Sequence, residues 1–189
     1  ILAIADGSIS HREQAHEEAV LAVAFSPDGK YLATGGSEGN IKLFITETMQ
    51  EEITIEAHTS RINDLAWSPD SMTLASGSAD FYVKLWNLSG ELAEDFLYQN
   101  GSITTVEFSS DGTQLASGSA DFTVFIRNLT DEEALPIVLD NDNIVRSIAF
   151  TPDNRQIAIG GDDYGVDVWG RYDEEDAYLG YLSKTLNHE

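Results

Sequence analysis

A chain of 189 residues that is 42% hydrophobic and 10% aromatic is long enough to bury one sizeable core, which excludes a disordered tail. It contains no cysteine, so disulfides and thiolate metal sites are out, and no apolar run approaches the roughly 18 residues a membrane helix needs. The 33 acidic against 10 basic residues give a formal net charge of −23, and the few lysines and arginines stand singly, so no basic patch exists to meet nucleic acid.

In chain order, residues 1–5 and 9–13 read as two strands around the turn Asp6-Gly7-Ser8. The first long unit then opens with Val20-x-x-Val23-x-Phe25-Ser26-Pro27-Asp28-Gly29. The same string returns as Ile62-x-x-Leu65-x-Trp67-Ser68-Pro69-Asp70-Ser71 and as Ile103-x-x-Val106-x-Phe108-Ser109-Ser110-Asp111-Gly112. Its last copy is Val145-x-x-Ile148-x-Phe150-Thr151-Pro152-Asp153-Asn154. From aromatic to aromatic the steps are 42, 41 and 42 residues. Spacing of three and then two is neither helical nor strictly alternating, and predicts a strand carrying one bulge residue. The Pro-Asp-Gly that follows is turn chemistry.

A second strand follows in each unit: Tyr31-Leu32-Ala33-Thr34, Thr73-Leu74-Ala75-Ser76, Gln114-Leu115-Ala116-Ser117 and Gln156-Ile157-Ala158-Ile159. A tight turn leads to a third: Ile41-Lys42-Leu43-Phe44, Val83-Lys84-Leu85-Trp86, Val124-Phe125-Ile126-Arg127 and Val166-Asp167-Val168-Trp169. The fourth is less regular, as Ile53-Thr54-Ile55, Asp95-Phe96-Leu97-Tyr98 and Ile137-Val138-Leu139. No helix-period segment of useful length occurs, so the architecture is all-β. A pattern that returns after four strands, not two, favours separate radial sheets over a barrel.

At these residues the chain resembles the WD-repeat family over residues 16 to about 186, with FSPDGKYLATGGSEGNIKLF and WSPDSMTLASGSADFYVKLW closest to its pattern. The resemblance implies a β-propeller of four complete four-stranded blades, at 16–57, 58–99, 100–140 and 141–186, with residues 1–15 as the last strands of a preceding blade. Residues 187–189 would start a further repeat or form a tail. An open arc of blades leaves apolar faces to cover, and three solutions exist: further blades of a longer chain, self-association with another copy, or closure into a compact small ring.

In this family a histidine, a Ser/Thr, an aspartate and a tryptophan are hydrogen-bonded in series within each blade. The second repeat carries the full set as His58, Ser76, Asp80 and Trp86. The first has His16 and Thr34 but Glu38 and Phe44; the third has Ser117 and Asp121 but Asn100 and Arg127. The fourth has Asp163 and Trp169 but Ile159, with Asn141 where histidine is expected.

Enzyme motifs are missing: there is no phosphate-cradling glycine loop, no His-Glu-x-x-His and no Gly-x-Ser-x-Gly elbow. Asp140-Asn141-Asp142-Asn143 lacks the glycine and distal glutamate of a calcium loop, so its acidity reads as that of a solvated loop. No metal or cofactor is expected. The residue after the turn aspartate is aromatic in three repeats, Phe81, Phe122 and Tyr164, where the first has Gly39. The resemblance puts this turn on the ligand-facing end of a propeller. Aromatics beside Glu38, Asp142, Asp162 and Asp163 would anchor an apolar and cationic peptide, unless the rings merely pack on the next blade. The expectation is a protein-binding scaffold or adaptor preferring basic proteins or peptides, with no nucleic acid and no membrane. The alternative is a ligand-sensing or autoinhibitory domain of a larger signalling or defence protein. The absence of cysteine and of a basic-flanked leader fits an intracellular setting, the cytoplasm before the nucleus.

Overall fold

The computed structural model describes residues 14–131, 133–163 and 165–170, and the backbone of 182–185. The strands expected in residues 1–13, and Tyr164, lie outside the described residues, as does 186–189. Among the described residues there is no helix, and none long and apolar enough to cross a membrane.

The described residues form four antiparallel sheets, each built from strands consecutive in sequence. The first comprises β1 (Val20–Phe25), β2 (Tyr31–Gly36), β3 (Asn40–Ile45) and β4 (Gln50–Glu56). The second comprises β5 (Ile62–Trp67), β6 (Thr73–Ser78), β7 (Val83–Asn87) and β8 (Leu92–Phe96). The third comprises β9 (Ile103–Phe108), β10 (Gln114–Ser119), β11 (Thr123–Asn128) and β12 (Ile137–Asp140), and the fourth β13 (Val145–Phe150), β14 (Gln156–Gly161), β15 (Val166–Gly170) and β16 (Leu182–Thr185). The three-then-two spacing of the opening strands is a register shift, at Val20/Ala22, Ile62/Asp64 and Val145/Ser147, and opposite Ser119 in the third sheet. One departure from the expected strands is β8, which ends at Phe96, so Leu97 and Tyr98 lie beyond it.

The turn after each opening strand is one repeated hydrogen-bonded unit. The Ser26, Ser68, Ser109 and Thr151 hydroxyls donate to Asp28, Asp70, Asp111 and Asp153 at 2.6–2.7 Å. Each of these oxygens also accepts the backbone N–H five residues on, at 2.9–3.0 Å. The aspartates accept from the backbone N–H two residues on, which together with the hydroxyl lowers all four carboxyl pKa values, to about 2 for Asp28 and Asp111. Position four of the turn holds a left-handed backbone whether it is Gly29, Ser71, Gly112 or Asn154.

Neighbouring sheets meet through their opening strands, β1 with β5, β5 with β9 and β9 with β13, which makes these the inner strands of a propeller. The packing repeats. Ile62, Leu65 and Trp67 cover Ala33, Ile41 and Leu43 of the first sheet. Ile103, Val106 and Phe108 cover Ala75, Val83 and Leu85, while Val145 and Ile148 cover Ala116, Val124 and Ile126. Glycine on the second strand makes the close approach possible: a Cβ at Gly35, Gly77 or Gly118 would stand 2.4–2.7 Å from Ile62, Ile103 or Val145. Polar links add to each seam, with Trp67 Nε1–H donating to Ala24 O at 3.1 Å, Val106 N–H to Asp64 at 2.9 Å and Thr104 Oγ1–H to Val145 O at 2.6 Å.

Candidate protein-binding site

The hydrogen-bonded series is complete in the second sheet. His58 Nδ1 lies 3.0 Å from both Asp80 oxygens, His58 Nε2 lies 2.7 Å from Ser76 Oγ, and Trp86 Nε1–H donates to Ser76 Oγ at 2.9 Å. Burial lowers the His58 pKa against the pull of Asp80, so the neutral ring donates from Nδ1 to the carboxylate and accepts the serine proton at Nε2. Desolvation opposes the Asp80 charge, but His58 and the N–H groups of Thr59 and Tyr82 outweigh it and hold its pKa low. Every polar atom in the chain of four then has a partner, and the turn that carries Phe81 is tied to the blade interior.

The other sheets solve the same problem with different atoms. In the first, His16 bridges Thr34 Oγ1, at 2.7 Å, and Glu38, while Phe44 fills the tryptophan position without a donor. In the third, the histidine post belongs to Gln99 and not to Asn100. Ser117 Oγ–H donates to Gln99 Oε1 at 2.6 Å, and Gln99 Nε2–H donates to Thr123 O at 3.0 Å. Asn100 contributes its backbone N–H to Asp121 at 2.6 Å, the part Thr59 plays for Asp80. Arg127 occupies the tryptophan position, donating to Ala134 O at 2.9 Å with its guanidinium 5.6 Å from the Phe96 ring centre. In the fourth, Ile159 is fully buried, Asn141 bonds to Asn143 O, Asp163 accepts from Gly165 N–H, and Trp169 is half-buried.

The turn aromatics occupy an uncommon backbone state. Phe81 has φ 78° and Phe122 φ 75°, the left-handed region that Gly39 fills at φ 89° in the first sheet. At Gly39 a Cβ would stand 2.3 Å from His58 O, so no side chain fits there, whereas Phe81 and Phe122 turn outward and stay 42% and 46% exposed. Phe81 borders a narrow crevice between the second and third sheets, with a free volume of only about 10 Å³, walled also by Phe96, Tyr98, Phe125 and Arg127. Phe96, Tyr98 and Phe125 stack with ring centres 5.8 and 5.7 Å apart. Phe122 is exposed but is not part of that wall. Of the rim acids, Glu38 is turned to His16 and Asp162 is held by Arg146 through two bonds at 2.6 and 2.8 Å, while Asp142 is exposed. Among the described residues no three metal-ligating side chains cluster.

Sheets of four consecutive strands, inner strands packed side by side and a His-Ser-Asp-Trp series within one of them agree with the model of the IFT122 first β-propeller, which matches residues 1–185. The chain belongs to this family. It is a β-propeller domain of WD-repeat type, a fold that generally serves as a non-catalytic scaffold for other proteins. No curated protein matches the chain.

The stacked aromatics of the crevice escape a reading by motif, but a column reading exposes them. Phe125 stands where the other three third strands carry Lys42, Lys84 and Asp167.

Proposed function

We propose that this propeller domain is an intracellular adaptor that holds a protein partner at the Phe81 and Phe122 turns and the Phe81-bordered crevice, with a preference for basic, apolar segments. The observation that carries the reading is a pair of phenylalanines in a backbone state suited to glycine, both left about half exposed. A bulky residue there strains the backbone, and a ring that stays in water regains little of that cost by burial. Such a combination is expected where the ring serves a contact outside the chain. A cationic side chain finds an exposed aromatic ring at Phe81, and a net charge of −23 steers basic partners toward it. The series His58, Ser76, Asp80 and Trp86 holds the Phe81 turn in place for this contact.

The test pans a library of short displayed peptides on the domain and on its Phe81→Gly and Phe122→Gly variants, which keep the left-handed turns. Enrichment of peptides pairing Lys or Arg with an apolar residue, lost in the variants while their circular dichroism is unchanged, is expected. Enrichment that survives both substitutions refutes the site, and enrichment of acidic peptides refutes the charge preference.

A further inference from the structure

We propose that a groove between the second and third sheets, at the end of β6 away from Phe81, receives an aromatic side chain flanked by lysine or arginine from a partner protein. The groove has a free volume of about 580 Å³ and is walled by Pro69, Leu85, Phe108 and Leu129. That size lies within the range of ligand pockets, roughly 300–1,000 Å³. It shares no lining residue with the narrow Phe81 crevice.

The seams on either side show what is missing here. Across the first seam, between the first and second sheets, Tyr31 stacks on Trp67 with ring centres 6.2 Å apart, and Ile53 and Leu88 pack on the same cluster. In the second seam the columns of Tyr31 and Trp67 hold Thr73 and Phe108. Ile53 stands opposite Leu43, and its counterparts opposite Leu85 and Ile126 are Glu94 and Ile137. Ile137 packs on the core of the third seam, so glutamate replaces isoleucine at the second seam alone of these three. The turns differ in the same way. Asp28 N–H donates to Ser71 Oγ across the first seam at 3.0 Å, and Ser110 N–H donates to Asn154 Oδ1 across the third at 2.9 Å. Gly112 holds the column of Ser71 and Asn154 and has no side chain to make that link. The second seam therefore lacks one ring, one aliphatic side chain and one side-chain link between turns.

The rim of the groove is acidic, with Asp70, Glu94 and Asp111 lining it. Hydrogen bonds within their turns hold the Asp70 and Asp111 carboxyls below the usual carboxylate range, so both are charged at neutral pH. In the first turn Lys30 stands 2.9 Å from Asp28, but Met72 and Thr113 occupy its column beside Asp70 and Asp111. Glu94 lies 3.6 Å from Arg127, which also donates to Ala134 O. An apolar space that the neighbouring seam fills with a ring, rimmed by carboxylates, is complementary to a ring and a cation carried on one segment.

The test titrates the isotope-labelled domain with the capped peptide Gly-Lys-Trp-Lys-Gly and follows the backbone amides by two-dimensional NMR. Shifts are expected at Met72, Thr73, Glu94 and Gly112. The peptides Gly-Lys-Ser-Lys-Gly and Gly-Glu-Trp-Glu-Gly are expected to bind there at least tenfold more weakly. Thr73→Tyr supplies the ring of the first seam, and Glu94→Ile supplies the aliphatic residue of both neighbouring seams. Each is expected to weaken binding at least tenfold while the amide spectrum remains that of a folded domain. Phe81→Gly with Phe122→Gly is expected to leave binding at these amides unchanged, so this groove and the rim contact proposed above fail separately. Thr73→Tyr also gives the background in which peptide panning reads the rim alone. No shift at these amides with about 1 mM peptide, the weak end of measurable affinity, overturns the proposal. So do shifts confined to the Phe81 and Phe122 turns, equal binding of the serine or glutamate peptide, and binding that neither Thr73→Tyr nor Glu94→Ile weakens.

Discussion

Replacing Ser76 with alanine tests whether the complete hydrogen-bonded series contributes more than its partial counterparts. Ser76 Oγ is fully buried, accepts from Trp86 Nε1–H at 2.9 Å and donates to His58 Nε2 at 2.7 Å. Alanine leaves a donor and an acceptor both buried, each costing about 1–3 kcal/mol, so a loss of about 3 kcal/mol is expected. Ser117→Ala strands only Gln99 Oε1, and Thr34→Val only His16 Nε2, so each should cost about 1–2 kcal/mol. For a chain of this length about 3 kcal/mol corresponds to a Tm drop of roughly 6–12 °C. Urea unfolding with linear extrapolation, read alongside the thermal midpoint, ranks the three variants. If Ser76→Ala costs no more than Ser117→Ala, the second sheet draws nothing extra from its tryptophan, and the series is four independent contacts, not a network.

Three further expectations follow from the same geometry. Acid should destabilise the fold in two stages. The folded His58 pKa lies below its unfolded value, so its contribution is full above about pH 6.5 and is lost as pH falls below that. Asp28, Asp70, Asp111 and Asp153 are depressed, so theirs is present above about pH 4 and is lost as pH falls toward 2. Stability profiled against pH should show both stages, and His58→Gln should flatten the upper one; a profile unchanged by that variant refutes the assignment. Gly77→Ala should cost about 1–3 kcal/mol by overpacking against Ile103, while Gly160→Ala should be neutral or slightly stabilising, as denaturation midpoints will show. Trp67→Phe keeps an aromatic ring beside Tyr31 but removes the bond to Ala24 O, so a loss of about 1 kcal/mol is expected, and a loss above about 3 would mean the indole is needed for packing.

Much of the fold is legible in the column order of the repeats, because the second strands bury nearly every residue in the first three sheets and repeat the same small and apolar types. The outer strands bury less, and there the pattern misleads: Leu97 and Tyr98 continue an apolar run yet lie past the end of β8. The histidine post of the third sheet is misplaced by one residue if polarity alone guides the search. The spacing carries the answer, since His16 to Thr34 and His58 to Ser76 are each 18 residues, which leads from Ser117 to Gln99. At the candidate site, the sequence places Phe81 and Phe122 after their aspartates but says nothing of exposure or backbone state. Those depend on the room around each Cβ, which is absent at Gly39 and present at Phe81 and Phe122.

The rim and the seams are mechanically linked through the same backbone atoms. The carbonyl of Gly39 accepts His58 N–H at 2.9 Å, and the carbonyl of Phe122 accepts Asn141 N–H at 2.8 Å, so each of these turns is pinned by the segment that opens the following sheet. A left-handed residue whose carbonyl is held in this way cannot relax its strain without breaking its bond to the segment that links its sheet to the next. The exposed ring at Phe122 is therefore presented by the seam beneath it. Loosening that seam, as a bulky substitution at Gly118 against Val145 would do, should release the ring and weaken partner binding before the fold is lost. The expected sign in hydrogen exchange is faster exchange at Asn141 N–H together with reduced peptide capture, and capture that persists after that amide has lost its protection would show that the rim does not depend on the seam.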